Sequence, residues 1–540
     1  MLRRFREYAL ILVSSVLLVL PYHFGALWGL AFVAFVPAFF VLDGKNPGQA
    51  FKHSFLLGCF FYLLLGYWLT LVNVLGFLVM VLYLALYFGF FGMFSSYFFD
   101  ASLDFHGTGS GKSIGAVFFV SAIWTVSEYL RGWIISGIPW AILAYTQWKN
   151  IPFIQISDLT GAWGVSFFIM AVNLLLFKLI KCFWAGKKEI SEDRTKTLGR
   201  MRRAAALLLC LGGVVLLTTG YGFLSLKSRD AYYRTPEEKK RIRVSVVQGN
   251  IPQDQKWDAR IKNIIFEKYK RLTFMSALEK SDLIVWPETS FPGFIEDEPV
   301  LAAQLRGIVR QSRTEVLVGA PALGNLEEGL RFYNSAILFG ADGEEKKRYN
   351  KVHLVPFGEY IPFDAVFGIL RNLFHIGRFS PGNEKTVFLT ETRYQPKNLK
   401  VRFGVLICYE DIFPGLVRDF VRGGADFLIN MTNDAWFGKT GAPYQHAQGS
   451  IFRAVENRVN IVRAANTGLS CFISPEGRIL ASVQDNGEEI FVTGHRGYDL
   501  ILRKTPSFYT RFGDVFILIA FFLCCLAYRA RPKKVSYSRI

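Results

Sequence analysis

The feature that most constrains this 540-residue chain is a series of long, uncharged apolar runs before residue 226, none of which leaves a polar face for water. Crossing a bilayer core takes roughly 20 apolar residues in a helix. Such runs recur at 8–20, 25–42, 54–72, 76–98, 115–134, 163–182 and 204–224, and one more follows at 513–528. The expectation is an α-helical polytopic membrane domain with eight spans. Arg3, Arg4 and Arg6 precede the first run as they would in a secretory leader. No small-residue cleavage site follows and another span comes at once, so a retained helix is expected. With 51% hydrophobic and only 19% charged residues, an ordinary soluble globule is excluded.

The formal charge of +19 could suggest a nucleic-acid partner until its location is read. With the N-terminus in the cytoplasm, Arg3, Arg4, Arg6, Lys45, Lys52, Lys112, the cluster from Lys187 to Arg203 and the tail from Arg529 to Arg539 all fall on that side. The short opposite loops hold only Lys149. This asymmetry reports topology and contact with anionic lipid, not nucleic acid. It implies a membrane domain at 1–224, an extracytoplasmic domain at 225–512, and an eighth helix with a basic cytoplasmic tail at 513–540.

The segment 225–512 has a different texture. Runs at 241–250, 281–288, 314–322, 333–340, 399–410, 425–434 and 459–477 read as strands, with helices at about 258–279, 298–312, 413–422 and 443–458. Buried strands alternating with helices imply a layered α/β domain. The cysteines, Cys59, Cys182, Cys210, Cys408, Cys471, Cys524 and Cys525, are odd in number and show no CxxC pair. Neither a disulfide framework nor a metal site is indicated, and no cofactor is implied. HGTGSGKS at 106–113 lacks the first glycine of a phosphate loop and follows a membrane run instead of a strand. Asn430-Met431-Thr432 has the spacing of a glycosylation sequon but lies in an expected buried strand.

Three strand ends each finish in a polar residue that an apolar strand would not otherwise carry: Glu288 in IVWPETS, Lys351 in RYNKVHLVPFGEY and Cys408 in VLICYED. Taken singly they read as an N-cap carboxylate, a surface ion pair and a core thiol. Together they make a base, an electrostatic stabiliser and a nucleophile.

In their order and separation, WPET, YNKxHLVPFGEY and CYED resemble the Glu-Lys-Cys triad of the nitrilase superfamily. QGNIPQDQKWD at 248–258, NMTNDAWFG at 430–438 and RAVENR at 453–458, in a chain with seven spans before the domain and one after, narrow the resemblance to the apolipoprotein N-acyltransferases of bacterial inner membranes. That resemblance implies an αββα sandwich of nitrilase type on a multi-pass inner-membrane protein, with a periplasmic catalytic domain and both termini cytoplasmic. It implies two-stage transfer of an acyl chain from a phospholipid to the α-amino group of an S-diacylglyceryl cysteine in an apolipoprotein. Cys408 would carry the chain as a thioester, Glu288 would act as general base, and Lys351 with the Tyr409 backbone N–H would hold the oxyanion.

Glu359 matches a second carboxylate that orients the lysine or the amine, Tyr409 and Glu410 would shape the pocket, and Trp257, Asn334 and Trp436 match positions around the site. Glu410 reads equally well as a cap of the following helix, with Asp411. In the membrane part, Glu128 and Arg131 are spaced for an ion pair on one helical face. Trp140 and Trp148 sit at interface depth, for anchoring or for guiding lipid. The apolar stretch 361–379 reads as a core helix or a lid over the site, and a monomer is expected. The rival readings are a membrane-tethered amidase, in which water resolves the acyl-enzyme, and a receptor with an inherited α/β domain.

Overall fold

The computed structural model describes residues 2–99, 110–188, 194–234, 240–256, 258, 260–324, 330–361, 379–394, 397–502 and 505–530. Trp257, the body of the expected lid (362–378), residues 106–109 and the end of the basic tail lie outside the described residues. The chain divides into two compact units, Met1–Tyr233 with Phe512–Ile540, and Arg234–Arg511.

Among the described residues of the first unit, six helical stretches are long and apolar enough to cross a membrane: Leu2–His23, Gly25–Leu42, Val74–Phe98, Ile114–Arg131, Ala162–Trp184 and Met201–Arg229. Two expected spans fall short of that measure. The helix Pro47–Leu65 carries Lys52 and His53 in its first half and stops before 72. The closing helix Val515–Ala530 has 16 residues, about 24 Å of helix against a hydrocarbon core of about 30 Å. It packs nonetheless on the helices Ser110–Arg131 and Ala162–Lys188, with Ala122, Phe167 and Ala520 buried at the contact.

Gly25–Leu42 is not one continuous helix: a 3-10 segment at Gly25–Phe32 breaks before the helix Val36–Leu42. Apolar surroundings cannot satisfy the backbone freed by such a break, so side chains must. Asn173 does this from the Ala162–Lys188 helix, accepting from Phe35 N at 2.9 Å and donating to Ala31 O at 2.8 Å. Ser14 accepts from Ala38 N at 2.9 Å. Glu128 and Arg131 are buried, but the ion pair expected between them does not form. Each turns to the loop that follows: Leu143 N donates to Glu128 Oε1 at 2.7 Å, and Arg131 donates to Ala141 O at 3.4 Å and to the Tyr62 hydroxyl. Each buried charge here meets one backbone group of a non-helical loop.

The second unit is the expected α/β sandwich. One sheet runs β12-β1-β2-β3-β4-β5, with β1 Arg241–Gln248, β2 Leu283–Val285, β3 Glu315–Leu323, β4 Phe332–Phe339, β5 Glu345–Asn350 and β12 Gly494–Ile501. The other runs β11-β10-β9-β8-β7-β6, with β6 Val387–Glu391, β7 Lys400–Ile407, β8 Phe427–Thr432, β9 Asn460–Ala465, β10 Cys471–Ile473 and β11 Ile479–Ser482. β1 lies against β9 and β4 against β7, so the sheets face each other. Each has the same plan: two parallel steps through helices, then antiparallel returns. That topological repeat has no counterpart in sequence similarity between the halves.

The helices Lys262–Leu278 and Pro299–Ser312 cover the first sheet, and Pro414–Arg422 and Ala442–Asn457 the second. The run expected as one strand at 459–477 is two, β9 and β10, separated at Asn466–Ser470. Trp286, fully buried, stacks on Tyr269 at 4.9 Å and donates to Thr273 Oγ1 at 2.9 Å. Truncating such a core side chain typically costs about 3–5 kcal/mol. The anchor lies two residues before Glu288 and fixes where that carboxylate leaves the sheet.

Candidate active site

Open α/β sheets present their ligand sites beyond the carboxyl ends of parallel strands. Glu288 follows β2, Cys408 follows β7 and Asp434 follows β8, while Lys351 follows β5. Lys351, 1% exposed, places Nζ 2.8 Å from Glu359 Oε2, 3.0 Å from Glu359 Oε1 and 4.0 Å from Glu288 Oε1. Asn334 Nδ2 donates to Glu288 Oε1 at 2.8 Å and to Glu359 Oε1 at 3.2 Å, joining the two carboxylates. Glu288 and Lys351 both act electrostatically on the Cys408 thiol, in opposite directions. Lys351 Nζ also sits 5.6 Å from the Tyr409 ring centroid.

The Glu288 turn needs a glycine on the neighbouring strand. A Cβ at Gly319 would lie 2.1 Å from Pro287 O and 2.8 Å from Glu288 Cα, so no other residue fits without moving the turn. Phe291 N and Ser290 Oγ donate to Gly319 O at 3.0 and 3.2 Å, and fasten the same segment from the other side.

Glu410 is fully buried and does not cap the Pro414–Arg422 helix. It accepts from Ile407 N at 2.7 Å, from Val352 N and His353 N at 2.9 Å each, and from Tyr349 Oη at 3.0 Å. One carboxylate thereby holds the residues after Lys351 against the turn that carries Cys408. Tyr409 donates its hydroxyl to Leu354 O at 2.8 Å, a second tie to the same loop.

Cys408 adopts a left-handed backbone, φ +57°, uncommon for a non-glycine residue. Asn430, in the NMTND run, donates to Cys408 O at 2.7 Å and fixes that peptide. Asp411 closes the same turn from a buried ionic cluster: His446 lies between Asp411 Oδ1 at 3.1 Å and Asp434 Oδ1 at 2.9 Å, and Arg463 donates to Asp411 Oδ2 at 2.7 Å. Two acids and two bases in one dry cluster balance in charge, which is how buried charges are tolerated.

The electrostatics follow from burial. Desolvation pushes the Cys408 thiol well above its ordinary value; Glu288, Asp434 and Glu359 push the same way and Lys351 opposes them. The resting site therefore holds a thiol that needs a base. Burial also raises Glu288, assisted by Glu359 and opposed by Lys351, Lys256 and the Asn334 hydrogen bond, which brings a general base nearer neutral pH. Burial would lower Lys351, but Glu359, Cys408 and Glu288 hold it above its usual range as a permanent cation. Burial pushes Glu410 up to about 7 against Lys351 and its own hydrogen bonds. Cys471, fully buried on β10, is pushed up to about 12 by burial, with Arg463 opposing and Glu489 assisting.

The structure thus gathers Glu288, Lys351, Cys408, Glu359, Asn334, Tyr409 and Glu410. Trp436 is 52% exposed in the turn Asp434–Phe437 after β8. Trp140 belongs to the other unit, where its ring lies 5.5 Å from that of Trp68. Asn430, Lys256 and His446 were not anticipated, although the first two lie inside the quoted runs NMTNDAWFG and QGNIPQDQKWD. Among the described residues no group of His, Cys, Asp and Glu side chains could hold a metal ion.

Comparison with known proteins places the chain in a family. Residues 243–494 match the carbon-nitrogen hydrolase family, and residues 14–175 match the apolipoprotein N-acyltransferase N-terminal domain. The apolipoprotein N-acyltransferase of Geobacter metallireducens is 37% identical over 95% of this chain and 92% of its own. That of Haemophilus influenzae is 30% identical over 89% of this chain and 87% of its own. The chain belongs to the apolipoprotein N-acyltransferase family. The solved amidase of Nesterenkonia sp. aligns with 53% of this chain and 98% of its own at 18% identity and a TM-score of 0.37, and adds nothing to the reading of the site.

For this member of the apolipoprotein N-acyltransferase family, Gly319→Ala should keep the protein folded but reduce acyl transfer at least ~100-fold, because a misplacement of about 1 Å at a reacting group can cost that much. Turnover by purified variant within a few-fold of the parent would show that the Glu288 turn tolerates displacement.

A second expectation concerns pH. Burial would lower His446, but Asp411 and Asp434 raise it from 6.5 to about 9. A folded-state value above the unfolded one contributes stability that is complete below pH 6.5 and is lost as pH rises through about 9. The unfolding midpoint of detergent-solubilised protein should fall across that window, and His446→Gln should flatten the fall. An unchanged slope in the variant would assign the loss to other groups.

Proposed function

We propose that this protein moves a fatty acyl chain from a membrane phospholipid to the N-terminal α-amino group of an S-diacylglyceryl cysteine on an apolipoprotein. The observation that carries the reading is the Glu288–Lys351–Cys408 constellation in a chain that also carries at least six membrane-length apolar helices. A hydrolase of soluble substrates would need one helix to tether it. A substrate that lives in the bilayer needs a protein built at membrane depth.

In the first stage Glu288 takes the Cys408 thiol proton as sulfur attacks the phospholipid ester carbonyl. The tetrahedral oxyanion is held by Lys351 and the Tyr409 backbone N–H. An ammonium has three donors and Glu359 occupies only part of them, so Lys351 keeps one for the oxyanion. Each such donor is typically worth roughly 3 kcal/mol of barrier. Collapse breaks the ester C–O bond, Glu288 protonates the departing lysophospholipid, and Cys408 is left as a thioester. In the second stage the α-amine attacks the thioester carbonyl, Glu288 removes its proton, and the C–S bond breaks to return the thiol. Asn334 and Glu359 keep Glu288 and Lys351 aligned throughout, and Trp436 offers substrate an exposed ring in the turn after β8.

The positive-inside asymmetry supports eight spans, with the second unit in the periplasm and both termini cytoplasmic. The Val515–Ala530 helix would reach across with the basic residues that follow it at the interface.

Incubation with acyl-labelled phospholipid should leave hydroxylamine-labile label on the protein at Cys408. Cys408→Ala should abolish label and product, whereas Cys471→Ala should keep both. Lys351→Arg should lose most activity despite keeping the charge, since a planar fork does not replace a point charge in a small buried site. Label retained in Cys408→Ala would end this mechanism, and label lost to water at the same rate with and without diacylated peptide would indicate the amidase.

A reporter active only outside the cytoplasm should work when fused after residue 300 and fail when fused after residue 195 or at the C-terminus. The reverse pattern would place the site in the cytoplasm.

A further inference from the structure

Lys256 is a charged group near the site that the acyl-transfer scheme leaves without a task. Its side chain is buried, 5% exposed, at the end of a turn that precedes the helix Lys262–Leu278. Its ammonium donates to Glu288 O at 3.1 Å and to the Thr289 hydroxyl. Among the described residues no carboxylate forms an ion pair with it, although Glu288 and Cys408 both act on it electrostatically. A buried cation without a paired anion is costly, and a fold that keeps one for packing alone would be better served by Met or Leu. Burial lowers Lys256 to about 8, against the pull of Glu288 and Cys408, so it titrates close to working pH.

Its position gives it two effects. Thr289 has φ +44°, a left-handed conformation that a β-branched residue resists, and this strained residue directly follows the base. The Lys256 hydrogen bonds grip the carbonyl and hydroxyl on either side of that strain. Its charge also compensates for a deficit at the nucleophile. The thiol of Cys408 faces Glu288, Glu359 and Asp434, which disfavour a thiolate, and Lys351, which favours it. Lys351 is already engaged by Glu359 at 2.8 Å. Lys256 forms no ion pair among the described residues, and Cys408 and Glu288 both act on its charge.

We propose that Lys256 is a positioning residue for acyl transfer, clamping the Glu288–Thr289 turn and supplying positive charge that the Cys408 thiolate needs as it forms. The inference rests on the reading of Cys408 as nucleophile and Glu288 as base.

The test uses the full-length protein in detergent, with two readouts: the pH dependence of Cys408 alkylation by iodoacetamide, followed on the Cys408 peptide by mass spectrometry, and the rate of hydroxylamine-labile acyl-enzyme formation from labelled phospholipid. Lys256→Gln keeps a donor but removes the charge. It should move half-maximal alkylation up by about one pH unit and slow acyl-enzyme formation roughly tenfold. Lys256→Arg should restore most of the pH profile. Thr289→Ala should slow acylation while leaving the alkylation profile in place, which separates the clamp from the charge. A merely structural lysine would change stability and leave the pH profile where it is. If Lys256→Gln matches the parent in both readouts while the parent forms a Cys408 thioester, this proposal falls and the function stands. If Cys408→Ala still takes the label, both fall.

Discussion

The interaction on which the site most depends is the buried carboxylate of Glu410. β5 ends in one sheet and β7 in the other, and nothing in the hydrogen-bond ladders joins them. Glu410 does, through Ile407 N on the β7 side and through Val352 N, His353 N and Tyr349 Oη on the β5 side. Lys351 and Cys408 are adjacent residues of the two segments so joined. Removing the carboxylate would strand buried N–H donors as well as separate the two groups, and each unmatched donor costs about 1–3 kcal/mol.

The rest of the site is a problem in charge placement. Two glutamates and two lysines act electrostatically on one another and on the Cys408 thiol, and under the proposed scheme their arrangement determines which proton moves. Glu359 neutralises Lys351 at short range, so Glu288 at 4.0 Å from the same ammonium is stabilised less and stays a better base. Under the proposed scheme, two carboxylates at different distances from one cation take different tasks, an orienter and a proton acceptor, with no difference in residue type. Beside Cys408, Asp411, Asp434, His446 and Arg463 balance one another in charge, so the turn can rest on buried ions, although Asp434 still disfavours the thiolate.

What could be read from sequence was whatever periodicity or a residue out of place announces. β1, β3, β4, β7, β8 and β9 are apolar runs, and Glu288 and Cys408 declared themselves as polar ends to such runs; Lys351 instead follows the polar strand β5, so the expectation of an apolar strand before it was wrong and only its flanking sequence marked it. β5 reads EKKRYN, β6 and β11 are short and half exposed, and β12 carries polar residues along its length, so no hydrophobic pattern marked them as strands. The second half of the site is built from pairings that spacing cannot reveal. Asn430 looks like a sequon member until its strand is placed beside β7, and Glu410 looks like a helix cap until the two sheets are brought together. Helical spacing of Glu128 and Arg131 suggested a mutual ion pair because the loop that outbids it, 138–143, has no sequence signal for its unpaired backbone.

A common device underlies the two reacting groups. Cys408 has φ +57° and Thr289, next to Glu288, has φ +44°, and neither is glycine. Such conformations cost of order 1–3 kcal/mol each and persist only where the surroundings over-determine them. At each, a buried side-chain N–H donor grips the adjoining carbonyl: Asn430 Nδ2 on Cys408 O at 2.7 Å, and Lys256 Nζ on Glu288 O at 3.1 Å. In both places the grip falls on a peptide of the strained turn, that of Cys408 itself in one and that between Glu288 and the left-handed Thr289 in the other, so neither backbone can relax without losing its hydrogen bond.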